Sequence, residues 1–158
     1  MRLKGKVAVI TGAGSGFGEG IAKRFSEEGA RVVVADIDAG NGNRVANGLK
    51  TAFVQADVTK GADWARLVSD TIAKFGRLDV VVNNAGWTHR RKPYLEVTEA
   101  EFDKVYAVNV KSIYLSAIYA LPAFRKQGGG CLVNIASTAG MRPRPGLTVY
   151  NSSKGAVI

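Results

Sequence analysis

Short apolar runs alternate with longer amphipathic stretches along nearly the whole chain. Residues 7–11 (VAVIT), 31–36 (RVVVAD), 52–56 (AFVQA), 78–83 (LDVVVN) and 131–136 (CLVNIA) are the apolar runs, each five or six residues long and most of them rich in valine and isoleucine. Runs of this length and composition predict strands buried on both faces. Between them, residues 17–28, 38–49 and 62–75 carry apolar positions at helical spacing, and Gly29 and Gly76 stand where a left-handed cap ends a helix. Thr98 followed three residues later by Glu101 predicts a capping box that opens a long helix over 99–125. Pro122 is expected to bend or end that helix, and glycines 128–130 separate it from the fifth strand. A last helix is expected to begin near Tyr150. Strands alternating with helices imply right-handed crossovers, hence an α/β fold: one domain over 1–158, a doubly wound parallel sheet with helices on both faces. Such sheets bind ligands at the carboxyl ends of their strands.

The 158 residues suffice for one core, and with 46% hydrophobic and 22% charged residues the chain reads as soluble and globular. The net charge of +9 raises the possibility of nucleic acid. Most basic residues, however, are scattered among acidic ones and describe a solvated surface. The opening MRLKGKVAVITG is too short an apolar run for a signal peptide, and no stretch of 18 apolar residues occurs, so a cytoplasmic protein without membrane partners is expected. The single cysteine, Cys131, lies within an apolar run and is expected to be a buried, reduced thiol. No cluster of histidine, cysteine and carboxylate has metal-ligand spacing.

Three features carry chemistry. The first strand runs into TGAGSGFG at 11–18 and then a helix. Glycines there permit positive φ and let a pyrophosphate approach the backbone at a helix amino terminus. The spacing is TGxxxGxG; a strict GxGxxG is not present. Asp36 ends the second strand, 18 residues after Gly18, where a carboxylate can accept hydrogen bonds from ribose hydroxyls and would repel a 2′-phosphate. Neither Ser15 nor Ile37 supplies a compensating cation, so NAD is expected in preference to NADP. Tyr150 and Lys154, four residues apart, share one helix face, and a neighbouring ammonium favours the ionised phenol.

With TGAGSGFG at 11–18, NNAG at 83–86, Asn109, Ser137 and YNSSK at 150–154 in order, residues 3–158 resemble a classical short-chain dehydrogenase/reductase. The resemblance implies a Rossmann-type sheet and a nicotinamide-dependent oxidoreductase acting on a secondary alcohol or ketone. It assigns Thr11, Gly12, Ser15, Gly16, Phe17, Gly18, Asp36 and Ile37 to the cofactor, with Asp57 and Val58 matching adenine contacts and Asn84, Ala85 and Gly86 lining the cofactor. It also implies that Tyr150 exchanges the proton, that Lys154 assists it and holds the nicotinamide ribose, that Ser137 binds the substrate oxygen, and that Asn109 supports a water relay to Lys154. His89 is expected to be an exposed loop residue, and Trp87 either lines the substrate pocket or packs.

The HRRK run at 89–92 and Arg142 with Arg144 follow the fourth and fifth strands, so an anionic or carrier-linked substrate is one reading and solvated loop charge the other. Relatives of this type are longer and usually homo-oligomeric. The resemblance therefore implies a C-terminally truncated chain lacking the family's last strands and substrate loop, with the fifth strand a bare edge and the final helix too short to hold Tyr150 and Lys154 by local propensity. Three readings remain: an oxidoreductase, an inactive nucleotide-binding remnant, and, more weakly, a basic nucleic-acid-binding module.

Overall fold

In the computed structural model, which describes residues 1–158, the five apolar runs form one sheet of parallel strands in the order β3-β2-β1-β4-β5. The strands are β1 Val7–Thr11, β2 Arg31–Asp36, β3 Ala52–Gln55, β4 Val80–Asn83 and β5 Cys131–Asn134. The last three are one or two residues shorter than the apolar runs. Hydrogen bonds continue beyond their ends, from the Asp79 amide to the Val7 carbonyl and from Ile135 to Asn83, so the runs still mark where the chain is extended.

All five residues of β1 are buried, because it is the central strand and has no solvent face. Side chains alternate across the sheet. On one face Val9, Val33 and Val81 pack under Trp64 and Leu67 of α3 (Gly61–Phe75) and Ala120 and Phe124 of α5 (Ser112–Gln127). On the other, Ile10, Val32, Val34 and Val82 pack under Ala22 of α1 (Gly16–Glu27) and Val45 and Ala46 of α2 (Ala39–Leu49). Each such valine or leucine contributes roughly 1.5–3 kcal/mol of burial. The chain leaves β1 toward β2 and β3 on one side and returns to β4 and β5 on the other. The crevice at this reversal opens where the strands end.

The predicted helix over 99–125 is three pieces: α4 (Glu99–Tyr106), a π-helical segment Ala107–Lys111, and α5. Pro122 neither ends nor replaces it, and the helix continues to Gln127. Pro122 is exposed, and so is Ile118, whose carbonyl would have received the missing amide, so water can serve that carbonyl. The joined helix Glu99–Gln127 is 29 residues and, by length and composition, apolar enough to cross a membrane, which the expectation of no spanning segment had missed. Its own Ser112, Ser116, Ala120 and Phe124 form a face buried against the rest of the fold. Cys131 is exposed rather than buried, because β5 is the sheet edge and pairs only with β4.

The capping box is present: the Glu101 amide donates to Thr98 Oγ1 (3.2 Å) and the Thr98 amide to Glu101 Oε2 (2.9 Å). Lys92 Nζ reaches the same carboxylate at 2.7 Å, and the Lys92 amide donates to the Gly146 carbonyl (3.1 Å), so Glu101 ties the β4–α4 loop to α4 while Lys92 ties it to the segment before the last helix. The Lys92 ammonium, then the Thr98 amide, hold the Glu101 carboxyl down at about 2. A depressed carboxyl contributes stability above its unfolded pKa and loses it as pH falls toward the folded value. Glu101→Gln is therefore expected to lower Tm at neutral pH, with the gap to the unsubstituted protein closing as pH falls from about 4.3 toward 2 in a thermal melt series.

Candidate functional site

At the carboxyl end of β1 the chain turns sharply, with Gly12 at φ 62° and Gly16 at φ 55°, left-handed values that favour glycine. A Cβ on Gly18 would lie 2.2 Å from the Gly12 carbonyl oxygen, and one on Gly12 would lie 2.9 Å from Ala85 Cα. The glycines thus let α1 and the segment after β4 close onto the turn. Beside Gly16 the space is open, with nothing within 4 Å of where a Cβ would be, and α1 begins there. Thr11 Oγ1 accepts from the Asn84 and Ala85 amides (both 3.1 Å), and Asn84 Nδ2 donates to the Thr11 carbonyl (2.9 Å). These bonds seam β1 to the stretch Asn84–Gly86.

Asp36 Oδ2 accepts from the Gly14 amide (2.8 Å) and Oδ1 from the Asp38 amide (2.9 Å), which orients the carboxylate toward the turn. Capping of α2 falls to Asp38, whose side chain accepts from Asn41. Arg44 approaches the same turn from α2 and donates to the Gly14 carbonyl (2.9 Å). Its guanidinium is also held by both Glu19 oxygens, at 2.9 and 2.7 Å. Asp57 accepts from the Thr59 amide and hydroxyl. Burial alone would raise its pKa, but the Thr59 bonds and the nearby Lys60 ammonium leave it below the usual carboxylate value.

The other half of the site lies beyond β5. Ser137 caps a 3₁₀ turn, Thr138–Gly140, by accepting from the Ala139 amide (3.1 Å). Gly140 lets that turn lie against α6 (Thr148–Val157), since a Cβ there would sit 2.7 Å from the Lys154 carbonyl oxygen. Local propensity is too little to hold the ten-residue α6, and contacts outside the helix supply the rest: Asn151 Nδ2 donates to the Arg144 carbonyl (2.9 Å), and Ser153 is fully buried. Lys154 Nζ donates to the Ile135 carbonyl (2.7 Å), and burial lowers its pKa from the ordinary lysine value.

Asn109, 2% exposed, sits in the π segment. Its Oδ1 accepts from the Trp87 amide (2.8 Å), and its Nδ2 donates to the Trp87 carbonyl and to Ser153 Oγ (both 3.0 Å). The side chain is spent on Trp87 and α6 and makes no direct bond to Lys154.

One cavity of about 700 Å³ joins the two halves. Its wall includes Gly12, Ser15, Gly16 and Phe17 from the turn, Asp36 and Ile37 after β2, and Asp57 with Val58 after β3. On the opposite side Asn84, Ala85 and Gly86 meet Ser137, Tyr150 and Lys154. Thr11, Gly18 and Asn109 stand behind this wall as supports. Trp87 lines the cavity. Sequence reasoning missed Lys104, also in the wall, and the Glu19–Arg44 pair, because neither carries a local signal. One expectation fails, and one open choice is narrowed. His89 is 2% exposed rather than a surface loop residue, its Nδ1 bonded to the Arg90 carbonyl at 2.8 Å. Arg90, Arg91, Arg142 and Arg144 are exposed and do not line the cavity, which agrees with the reading of these segments as solvated loop charge.

The family model described as short chain dehydrogenase matches residues 6–158. The chain belongs to the short chain dehydrogenase family. Like other short chain dehydrogenases, it resembles a 4-formylbenzenesulfonate dehydrogenase of Comamonas testosteroni, at 53% identity over 100% of the chain and 65% of that protein. An L-fucose dehydrogenase of Bos taurus is 41% identical over 99% of the chain and 58% of that protein. Among solved structures, a 3-ketoacyl-(acyl-carrier-protein) reductase from Brucella melitensis complexed with NADH superposes with a TM-score of 0.93 at 45% identity, covering 97% of this chain and 66% of that one. The chain thus spans 58–66% of the length of these three proteins.

Because the added methyl would meet the Gly12 carbonyl at 2.2 Å as well as Asn84 Nδ2 at 2.6 Å, Gly18→Ala is expected to cost about 1–3 kcal/mol in stability and, if the turn holds a dinucleotide, to weaken its binding. A denaturant melt and a binding titration on the same preparation check both effects.

Proposed function

We propose that this chain is the cofactor-binding and proton-transfer part of a nicotinamide-dependent oxidoreductase that interconverts an alcohol and its carbonyl compound, with NAD preferred to NADP. The observation that carries the proposal is the single cavity that joins the glycine turn and Asp36 to Ser137, Tyr150 and Lys154. The open space at Gly16 beside the amino terminus of α1 fits a pyrophosphate, and the Asp36 carboxylate fits ribose hydroxyls. When bound, the nicotinamide supplies or accepts the hydride.

Every other role falls to the chain. Ser137 donates a hydrogen bond to the substrate oxygen and stabilises charge that develops there. In the oxidative direction Tyr150 takes the hydroxyl proton, and in the reductive direction it returns a proton to the carbonyl oxygen. Lys154, buried and held by the Ile135 carbonyl, presents its remaining N–H groups to the ribose and places positive charge one helical turn from Tyr150. Asn109 acts through others, fixing Trp87 and Ser153 around the reacting end. The exposed apolar row Tyr114, Ile118 and Leu121 on α5 supports assembly as a homo-oligomer.

NAD is preferred because Asp36 faces the turn without a free cation beside it: Arg44, the one guanidinium bonded to the turn, is neutralised by Glu19. Titration by intrinsic fluorescence is expected to give NADP an affinity at least tenfold below that of NAD, about 1.4 kcal/mol. Equal or tighter NADP binding would overturn the preference. Tyr150→Phe is expected to lower kcat on an alcohol or aldehyde panel by roughly 10²–10⁴ while NAD affinity stays within a factor of two or so. Retained turnover in the variant would remove Tyr150 from the proton-transfer role.

A further inference from the structure

The charges of the cavity are segregated by strand order. Its two carboxylates, Asp36 and Asp57, follow β2 and β3, on one side of β1. Its two ammonium groups, Lys104 and Lys154, come from α4 and α6, beyond β4 and β5 on the other. The side that holds Ser137 and Tyr150 therefore has positive charge and no carboxylate. Lys154 is committed to the Ile135 carbonyl. Lys104 is committed to nothing polar: no carboxylate lies within 4 Å of it, although ten ion pairs of that length occur elsewhere in the chain. Its ammonium instead stands 4.3 Å from the centroid of the Trp87 indole. The backbone that carries this indole is fixed, because both the amide and the carbonyl of Trp87 are held by the buried Asn109.

We propose that Lys104 receives an anionic group of the substrate, a sulfonate or carboxylate, and that the Trp87 face carries the aromatic or short carbon body joining that group to the reacting carbon. This rests on the oxidoreductase reading and specifies its substrate class. A cation poised over an indole is attracted by the ring but keeps free N–H donors. An anion entering the cavity accepts those donors in a charge-assisted bond that the indole cannot supply. The arginines of the HRRK and MRPRPG segments, outside the wall, can attract such a substrate at longer range. Lys104 is the cation that touches it.

Binding of benzenesulfonate, benzoate and the neutral benzenesulfonamide, followed by tryptophan fluorescence with NAD present, tests this directly. Of the two tryptophans Trp64 is 1% exposed, so Trp87 is the reporter, and calorimetry guards against a change in its brightness alone. Lys104→Gln is expected to weaken the two anions roughly tenfold or more, leave benzenesulfonamide unchanged, and be rescued in large part by Lys104→Arg. A preference between sulfonate and carboxylate identifies which anion the site takes. Unchanged anion binding in Lys104→Gln, or equal losses for the anions and the sulfonamide, overturns the proposal. A loss of NAD affinity matching the loss for the anions also overturns it, because Lys104 then serves the cofactor. If the unsubstituted protein binds no NAD, the oxidoreductase reading itself fails, a result distinct from any of these.

Discussion

The seam between β1 and the residues after β4 is the constraint on which the rest of the site depends. It joins segments more than 70 residues apart, through Thr11 Oγ1 receiving two amides and Asn84 Nδ2 capping carbonyls of the turn. A buried amide without a partner costs about 1–3 kcal/mol, so these groups cannot separate without penalty. Because they stay together, the glycine turn is pressed against Ala85, and only residues without a Cβ fit at Gly12 and Gly18. The same seam fixes the direction in which Gly86 and Trp87 leave the sheet, and so where the half of the cavity lined by Ser137 and Tyr150 begins.

A second set of bonds closes the site from the far side. Asn109 lies where the long helix widens into π geometry, a local irregularity often found at functional sites. From there it grips Trp87 at both backbone groups and reaches Ser153 on α6. Tyr106, one helical turn earlier, donates to Ser152 at 3.1 Å. The helix after β4 therefore positions two things at once, the indole platform and the helix that carries Tyr150 and Lys154. With α6 only ten residues long, isolated propensity would leave it marginal, and these contacts supply what propensity cannot.

How much of this could be read from the sequence follows the range of each interaction. The five strands, the capping box at Thr98 and the left-handed glycines that end helices at Gly29 and Gly76 are set by residues within a few positions of one another, and the apolar runs and turn residues record them. Strand order is not local. Cys131 sits in a run that looks buried, and only its place on the edge strand exposes it. His89 shows the reverse: a polar run reads as solvated, yet the fold buries the imidazole, with Nε2 left without a partner. Pro122 obeys its local rule at the level of one lost hydrogen bond. That bond lies on the exposed side of a helix whose other side is packed into the core, so the helix survives it.

The charged residues sort in the same way. Glu19 and Arg44 are 25 positions apart and unremarkable singly, but the packing of α1 beside α2 brings them together at the Gly14 carbonyl. Lys104 resembles any surface lysine of an amphipathic helix, whereas the conspicuous HRRK run stays outside the cavity. Clustering along the chain measures local charge density, and a site samples charge across elements. In a parallel sheet, residues from successive strand ends are gathered at one edge, so the cation that matters is the one whose helix returns over that edge, not the one with the most basic neighbours. Lys104 meets that condition because α4 is anchored beside the mouth, through Glu101 to the β4–α4 loop and through Tyr106 to α6.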